Sequence, residues 1–111
     1  MNIEHKIVNR TLYTSIQGEL DEHTAPMARE ILDRCIASTG FNRIIFELSN
    51  LHFMDSTGLG VLIGRYKKLL LKKDENGKIV SMFIATPSKQ VDKLLTFSGV
   101  YKIMPKLNNS N

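Results

Sequence analysis

The sequence predicts an α/β domain: a mixed sheet with helices packed on it, in the order β-β-α-β-α-β-α with an optional final strand. Three observations carry this. Short β-type runs alternate with amphipathic helical stretches, so most strand connections should be parallel crossovers. The 111 residues suit one domain, and their 42% apolar and 23% charged content is that of an ordinary globule with one core. Glycines and prolines punctuate the chain without splitting it, and there is no internal repeat, low-complexity tract or linker. Residues 1–107 are expected to form the domain and Asn108 to Asn111 a polar, frayed tail.

The elements follow in order. Ile3 to Val8 and Leu12 to Gln17 alternate apolar and polar residues as strands do, with Asn9-Arg10 a tight turn that would pair them as an antiparallel hairpin. Gly18-Glu19-Leu20-Asp21 leaves the second strand. Thr24, or Asp21 before it, can cap a helix running to about Ser38, with Pro26 in its first turn and Ile31, Leu32, Cys35 and Ile36 as its apolar stripe. Gly40 ends that helix. Arg43 to Leu48 (RIIFEL) reads as a central strand, and Asp55 to Lys73 as the second helix. Asp74-Glu75-Asn76-Gly77 is a turn, Lys78 to Ala85 a buried-type strand, and Ser88 to Phe97 a capped helix stopped by Gly99. Tyr101 to Met104 is left open between a short strand and a helix entry.

Charge and cysteine usage narrow the function classes. The net charge is +4 and the pI about 9.3, which raises a nucleic-acid partner. The lysines, however, gather as Lys67, Lys68, Lys72, Lys73 and Lys78 around the end of one helix, where cations complement the macrodipole. A solvated face explains them better than a nucleic-acid patch. Cys35 is the single cysteine, so no intramolecular disulfide can form, and its apolar neighbours make it a packing residue rather than a reactive thiol. No signal peptide is visible and no apolar run approaches the ~20 residues of a membrane span. A cytoplasmic protein with no membrane or nucleic-acid partner is expected.

One segment stands apart: Asn50-Leu51-His52-Phe53-Met54-Asp55-Ser56-Thr57-Gly58-Leu59-Gly60. It follows a strand and opens a helix. Asp55, Ser56 and Thr57 offer a carboxylate and two hydroxyls at that helix's N-terminus, and their simplest role is capping. Three features point further. One capping side chain suffices, yet three candidates stand in a row. Gly58, Gly60 and Gly64 lie in the first turns, each costing ~1 kcal/mol relative to alanine, so close backbone approach to the sheet or to a partner is implied. Phe53 and Met54 precede the cap as apolar anchors of a loop that presents the polar triplet.

Other chemistries fit this segment less well. Gly58-x-Gly60-x-x-x-Gly64 resembles a dinucleotide loop, but only Gly58 is near the strand-to-helix turn and no suitably placed acidic residue follows. No Gly-Lys-Ser/Thr follows for a P-loop. A serine hydrolase elbow needs Gly-x-Ser-x-Gly, whereas residues 54 to 58 read Met-Asp-Ser-Thr-Gly. Spacing brings none of His5, His23 and His52 to Ser56 as a base. No Cys, His and carboxylate set has metal-site spacing, and no cofactor is expected.

At this segment the chain resembles the anti-sigma factor antagonists of the STAS domain family. The matching pieces are Gly18-Glu19-Leu20-Asp21 with His23-Thr24-Ala25, Phe53-Met54-Asp55-Ser56-Thr57-Gly58-Leu59-Gly60-Val61, Gly64-Arg65-Tyr66-Lys67 and Phe97-Ser98-Gly99-Val100. They cover nearly the whole chain in order, and Asp-Ser-Thr-Gly-Leu-Gly in that context is quite specific. Gly18 to Ala25 and Gly64 to Lys67 are most similar to the sporulation branch, the antagonists of the anti-sigma F factor. Thr57 stands where a second serine would, as in the general-stress branch, and Lys72 to Lys78 form a more charged turn than expected.

The resemblance implies a single STAS-like domain, its sheet covered by helices mainly on one side. It implies no enzyme activity of the chain's own. The partner would be an anti-sigma factor that is also a serine kinase carrying ATP or ADP, and it would phosphorylate Ser56. The unphosphorylated chain would bind that kinase and free its sigma factor, and a serine phosphatase would reset it. The binding surface would comprise Asp21, His23, Thr24, Asp55, Thr57, Gly58 and Gly60. The rival readings are a STAS ligand-sensing or scaffold module for a nucleotide or lipid, and an enzyme acting through Ser56.

Overall fold

Strand β2 (Thr11–Leu20) organises the molecule, because it serves two neighbours in turn along one side. The computed structural model describes residues 1–107. Strand β1 (Asn2–Val8) pairs antiparallel with β2 through the predicted Asn9-Arg10 turn. Both turn residues have positive φ, 50° and 65°, as a two-residue turn matched to the strand twist requires. Over Thr11–Ser15, β2 pairs in parallel with β3 (Arg43–Glu47). At Gly18, with φ +98°, the register shifts by a bulge, and the end of β2 pairs in parallel with β4 (Leu51–Met54) instead. Strand β3 pairs with β5 (Ser81–Ala85), and β5 with the two-residue β6 (Lys106–Leu107), so the order is β1-β2-β3-β5-β6 with β4 beside β2. All pairings between these six strands except the first hairpin are parallel.

Strand β4 is an addition to the predicted order. From sequence Phe53 and Met54 read as anchors in a loop, since a four-residue run after a three-residue connection has too few residues to show a period. Other differences lie at boundaries. Helix α1 spans Ala25–Ile36 and α2 Ser56–Leu70, shorter than Asp55 to Lys73. Strand β5 starts at Ser81 rather than Lys78; the Asp74–Gly77 turn is instead closed by a lone antiparallel bridge between Lys73 and Ile79. Helix α3 (Lys89–Ser98) is capped by Ser88, whose hydroxyl accepts from the Val91 N–H, and ends at Gly99 in the left-handed region. The open choice at Tyr101 to Met104 resolves as a 3-10 turn over Val100–Lys102, with the final strand just beyond it. The predicted tail, Asn108 to Asn111, lies outside the described residues.

The core forms on one face of the sheet. Leu12, Thr14 and Ile16 of β2 are fully buried while Tyr13 between them is 37% exposed. By register Ile44, Phe46 and Ile84 share the Leu12 face, and they join Leu32, Leu62, Leu69, Val91 and Leu95 of the helices in a single cluster. Cys35 of α1 is buried, its thiol pushed up by desolvation. Helices α1 and α2 are also joined by charge. Arg65, 5% exposed, has its Nε 3.1 Å from Asp33 Oδ1, and Lys68 Nζ reaches Asp33 Oδ2 at 2.8 Å. Lys72 lies over the Phe41 ring at 5.3 Å. Two of the five clustered lysines therefore have intramolecular roles, which weakens the nucleic-acid reading further.

Candidate functional site

The parallel pairing of β2 with β4 decides where the site is. Leu20 and Met54 are register partners, so the residues that follow them, Asp21 and Asp55, leave neighbouring strands at the same end. The two loops are then tied together. Asp55 N–H donates to the Leu20 carbonyl at 3.4 Å, and Glu22 N–H donates to Asp55 Oδ2 at 3.2 Å. The motif around Asp21 and the motif around Ser56, more than thirty residues apart in sequence, thus form one surface.

Asp55 is the N-cap of α2. Its backbone is extended (φ −110°, ψ −174°), Oδ1 accepts from Gly58 N–H at 2.8 Å, and its carbonyl accepts from Leu59 N–H at 2.9 Å. One side chain therefore does the capping, as the sequence requires of only one, and it also holds the Asp21 loop. The hydroxyls are not needed for that task. Ser56, the first helical residue, is exposed, while Thr57 is half-buried. No hydrogen bond links Ser56 to His5, His23 or His52 among the described residues. Nor do three or more His, Cys, Asp or Glu side chains gather to hold a metal ion there.

The glycines divide into two kinds. A Cβ on Gly58 would stand 2.0 Å from the Leu20 carbonyl oxygen, so α2 can lie against the end of β2 only because residue 58 has no side chain. Gly58 is buried, and its contact is with the chain's own sheet. Gly60 and Gly64 have open space where a Cβ would go. Gly60 is exposed one turn on from Ser56, on the same helix face. That face is smooth for a reason that the chain's own packing does not supply.

The Asp21 loop is built on a different pattern from the predicted cap. Thr24 occupies the N-cap position of α1 but makes no capping bond to the helix. Its hydroxyl instead donates to the Glu19 carbonyl at 2.9 Å and accepts from Asp21 N–H at 3.0 Å. Asp21 Oδ1 accepts from the N–H groups of His23 and Thr24, at 2.9 and 3.1 Å. Asp21 thus folds its own loop, and the exposed His23 ring sits 3.9 Å from its carboxylate. These bonds, led by that from Thr24 N–H, hold the Asp21 carboxyl below the usual carboxylate value. A group so depressed contributes its stabilisation above the unfolded pKa and loses it as pH falls through the folded one. An NMR titration of the Asp21 carboxyl should therefore give a midpoint below ~3.9, the value of a free aspartate. Asp21→Asn keeps an acceptor for both N–H groups and should remove this acid dependence of loop order.

Sequence reasoning missed two contributors. Gln90 of α3 hydrogen-bonds the main chain of Met54 twice, and Glu22 contributes through its N–H. Neither carries a sequence signal: the first depends on a contact across 36 residues and the second on a backbone atom.

The comparisons with known proteins point to one family. The STAS domain family model matches residues 2–110. The anti-sigma F factor antagonist of Paenibacillus polymyxa is 38% identical over 109 residues, covering 98% of this chain and 88% of that protein. The anti-sigma-B factor antagonist of Staphylococcus aureus is 31% identical over 104 residues, covering 94% and 90%. The anti-sigma factor antagonist SpoIIAA in its unphosphorylated form superposes with a TM-score of 0.72 at 28% identity, over 97% of this chain and 90% of that one. The phosphorylated form of the Bacillus cell fate determinant SpoIIAA superposes with a TM-score of 0.65, over 97% and 93%.

Proposed function

The chain belongs to the STAS domain family, and we propose that it is an anti-sigma factor antagonist switched by phosphorylation of Ser56. In this reading the unphosphorylated chain binds an anti-sigma factor that is also a serine kinase, and so releases a sigma factor in the cytoplasm. The kinase, using ATP, transfers phosphate to the Ser56 hydroxyl, and a serine phosphatase removes it. The sporulation branch, with the sigma F factor, is favoured over the stress branch by the higher identity to the anti-sigma F factor antagonist, 38% against 31%.

The observation that carries the proposal is the exposed Ser56 hydroxyl at the first position of α2, beside a carboxylate that is already committed to capping. A kinase needs an accessible hydroxyl that it can align for attack, and here Asp55, by capping α2, fixes the backbone that carries it. The surface offered to the partner joins Asp21, His23 and Thr24 to Asp55, Thr57 and Gly60, with Gly58 acting from beneath by setting the height of the helix. The SpoIIAA relative exists in both forms, which is the behaviour proposed here.

A nucleotide-binding module is the weaker reading. A concavity of ≈ 510 Å³ opens beside β1 and β2, and its lining mixes the carboxylates of Glu4 and Glu47 with Lys6 and His5, so it presents no concentrated positive charge for a phosphate. It is not at the Ser56 loop.

Incubation with the cognate kinase and ATP, followed by peptide mass spectrometry, should place one phosphate on Ser56 and none on Thr57. Full labelling of Ser56→Ala, or phosphate on Thr57 in the wild type, would overturn the assignment. Nucleotide titration of the chain alone, by calorimetry, should give no heat of binding.

A further inference from the structure

We infer that Gln90 is a positioning residue for Ser56, holding the main chain of the phosphoacceptor loop from outside the sheet. The inference rests on the reading of Ser56 as phosphoacceptor.

Strand β4 pairs only with β2, so its other edge faces no strand among the described residues. Along a strand, successive peptide groups turn to opposite sides. Asp55 N–H turns inward to the Leu20 carbonyl. Met54 N–H and C=O, one residue earlier, turn outward. There Gln90 meets both: Oε1 accepts from Met54 N–H at 3.2 Å, and Nε2 donates to the Met54 carbonyl at 3.3 Å. A primary amide thereby supplies the donor and acceptor pair that a neighbouring strand would give. Met54 is 1% exposed, so its polar main-chain groups need those partners.

The clamp is stiff at both ends. Gln90 sits in the first turn of α3, which Ser88 caps and which Val91 and Leu95, both fully buried, fix to the core. Met54 is joined covalently to Asp55, which caps α2, and then to Ser56. A shift of Met54 is therefore passed to the Ser56 hydroxyl within two residues. The side chain of Gln90 itself adds nothing to the core cluster, because the residue is exposed. Its contribution is to geometry at the loop, and phosphoryl transfer is sensitive to misplacement of the attacking oxygen.

The test uses the full chain with its cognate kinase and ATP. Gln90→Ala removes both bonds. Gln90→Glu keeps the shape and the acceptor, but turns a carboxylate oxygen toward the Met54 carbonyl. Gln90 is exposed, so water can take the place of its amide at Met54, and both variants should keep the wild-type thermal midpoint to within a few degrees. Amide exchange at Met54 and Asp55 should quicken about tenfold, with no change in Arg43–Glu47 or Ser81–Ala85. The kcat for Ser56 phosphorylation should fall about fivefold or more at saturating antagonist, with a smaller change in KM. Wild-type labelling on Ser56 with unchanged kcat in Gln90→Ala would overturn this inference alone. So would faster exchange spread across β3 and β5, because the role would then be general stability. Absence of phosphate on Ser56 in the wild type would overturn the reading beneath it.

Discussion

Gly58→Ala is expected to lower stability by about 2 kcal/mol or more, and the thermal midpoint by roughly 10 °C. The new Cβ would stand 2.0 Å from the Leu20 carbonyl oxygen and 2.8 Å from its carbonyl carbon. Both are main-chain atoms of a residue held by its pairing with Met54 and by the Asp55 N–H, so neither can swing away as a side chain would. Relief requires α2 to lift from the end of β2. Overpacking a tight site costs ~1–3 kcal/mol and sometimes more. Alanine's better helix propensity recovers up to ~1 kcal/mol, so the net effect stays negative. Lifting α2 also pulls Asp55 from its bonds to Gly58 and Glu22, and partner affinity should fall with stability. Gly60→Ala is the contrasting case. Its Cβ meets nothing within 4 Å, so the midpoint should rise by a few degrees. If a partner lies flat on this face, affinity for the kinase should nevertheless fall about tenfold. Thermal melts and calorimetric titrations of the two variants would show whether stability and affinity move together at 58 and in opposite directions at 60. Equal affinity of Gly60→Ala and wild type would remove Gly60 from the partner surface.

The contrast between those glycines marks how much the sequence alone discloses. The glycine run in Gly58 to Gly64 signals close approach, but a sequence cannot say to what. Only the structure separates Gly58, tight against Leu20, from Gly60 and Gly64, which face open space. The hairpin was legible because Asn9-Arg10 stands between two runs of period two, and backbone geometry then follows from the turn length. The long helices were legible from their stripes and caps. Strand β4 was not, because its identity comes from its partner: β2 has to bulge at Gly18 before Leu51–Met54 can pair with it. The same bulge brings Asp21 beside Asp55. Both residues stand out in the sequence as capping candidates, and a family resemblance alone puts them on one partner surface; the structure supplies the hydrogen bond from Glu22 that joins their loops. Capping of α1 by Thr24 was a sound local expectation, overridden because its hydroxyl is drawn back to Glu19 and Asp21. Gln90 stayed hidden because a glutamine in the first turn of a helix has many unremarkable uses.

Phosphorylation of Ser56 should reduce affinity for the kinase at least tenfold, or ~1.4 kcal/mol, while leaving the backbone and the thermal midpoint nearly unchanged. The phosphate brings roughly −1.5 to −2 charges to the first residue of α2. Within the isolated fold, opposing terms nearly cancel. The helix dipole and the unbonded N–H groups of the first turn favour an anion there by ~0.3–1 kcal/mol. The Asp55 carboxylate next door repels it, though both of its oxygens are already engaged by Gly58 and Glu22 N–H groups. Ser56 is exposed, so the dianion keeps most of its water and no core contact is disturbed. At a partner interface the balance changes. The same surface carries Asp21, Glu22 and Asp55, and a partner shaped for the neutral hydroxyl would have to strip water from the dianion or be held off by it. An unpaired charge desolvated at an interface costs several kcal/mol, well above the tenfold threshold. The effect should therefore be one of local charge and bulk rather than refolding. Amide shifts recorded before and after phosphorylation should move in Asp21 to Thr24 and in Asp55 to Gly60, where the phosphate's field and hydrogen bonds reach. Changes spread through β3 and β5 would mean that the sheet itself responds, and a switch by local charge would then be the wrong account. Ser56→Asp offers a second measure. One carboxylate carries less charge than a phosphate and fewer acceptor oxygens, so its loss of affinity should have the same sign and a smaller size.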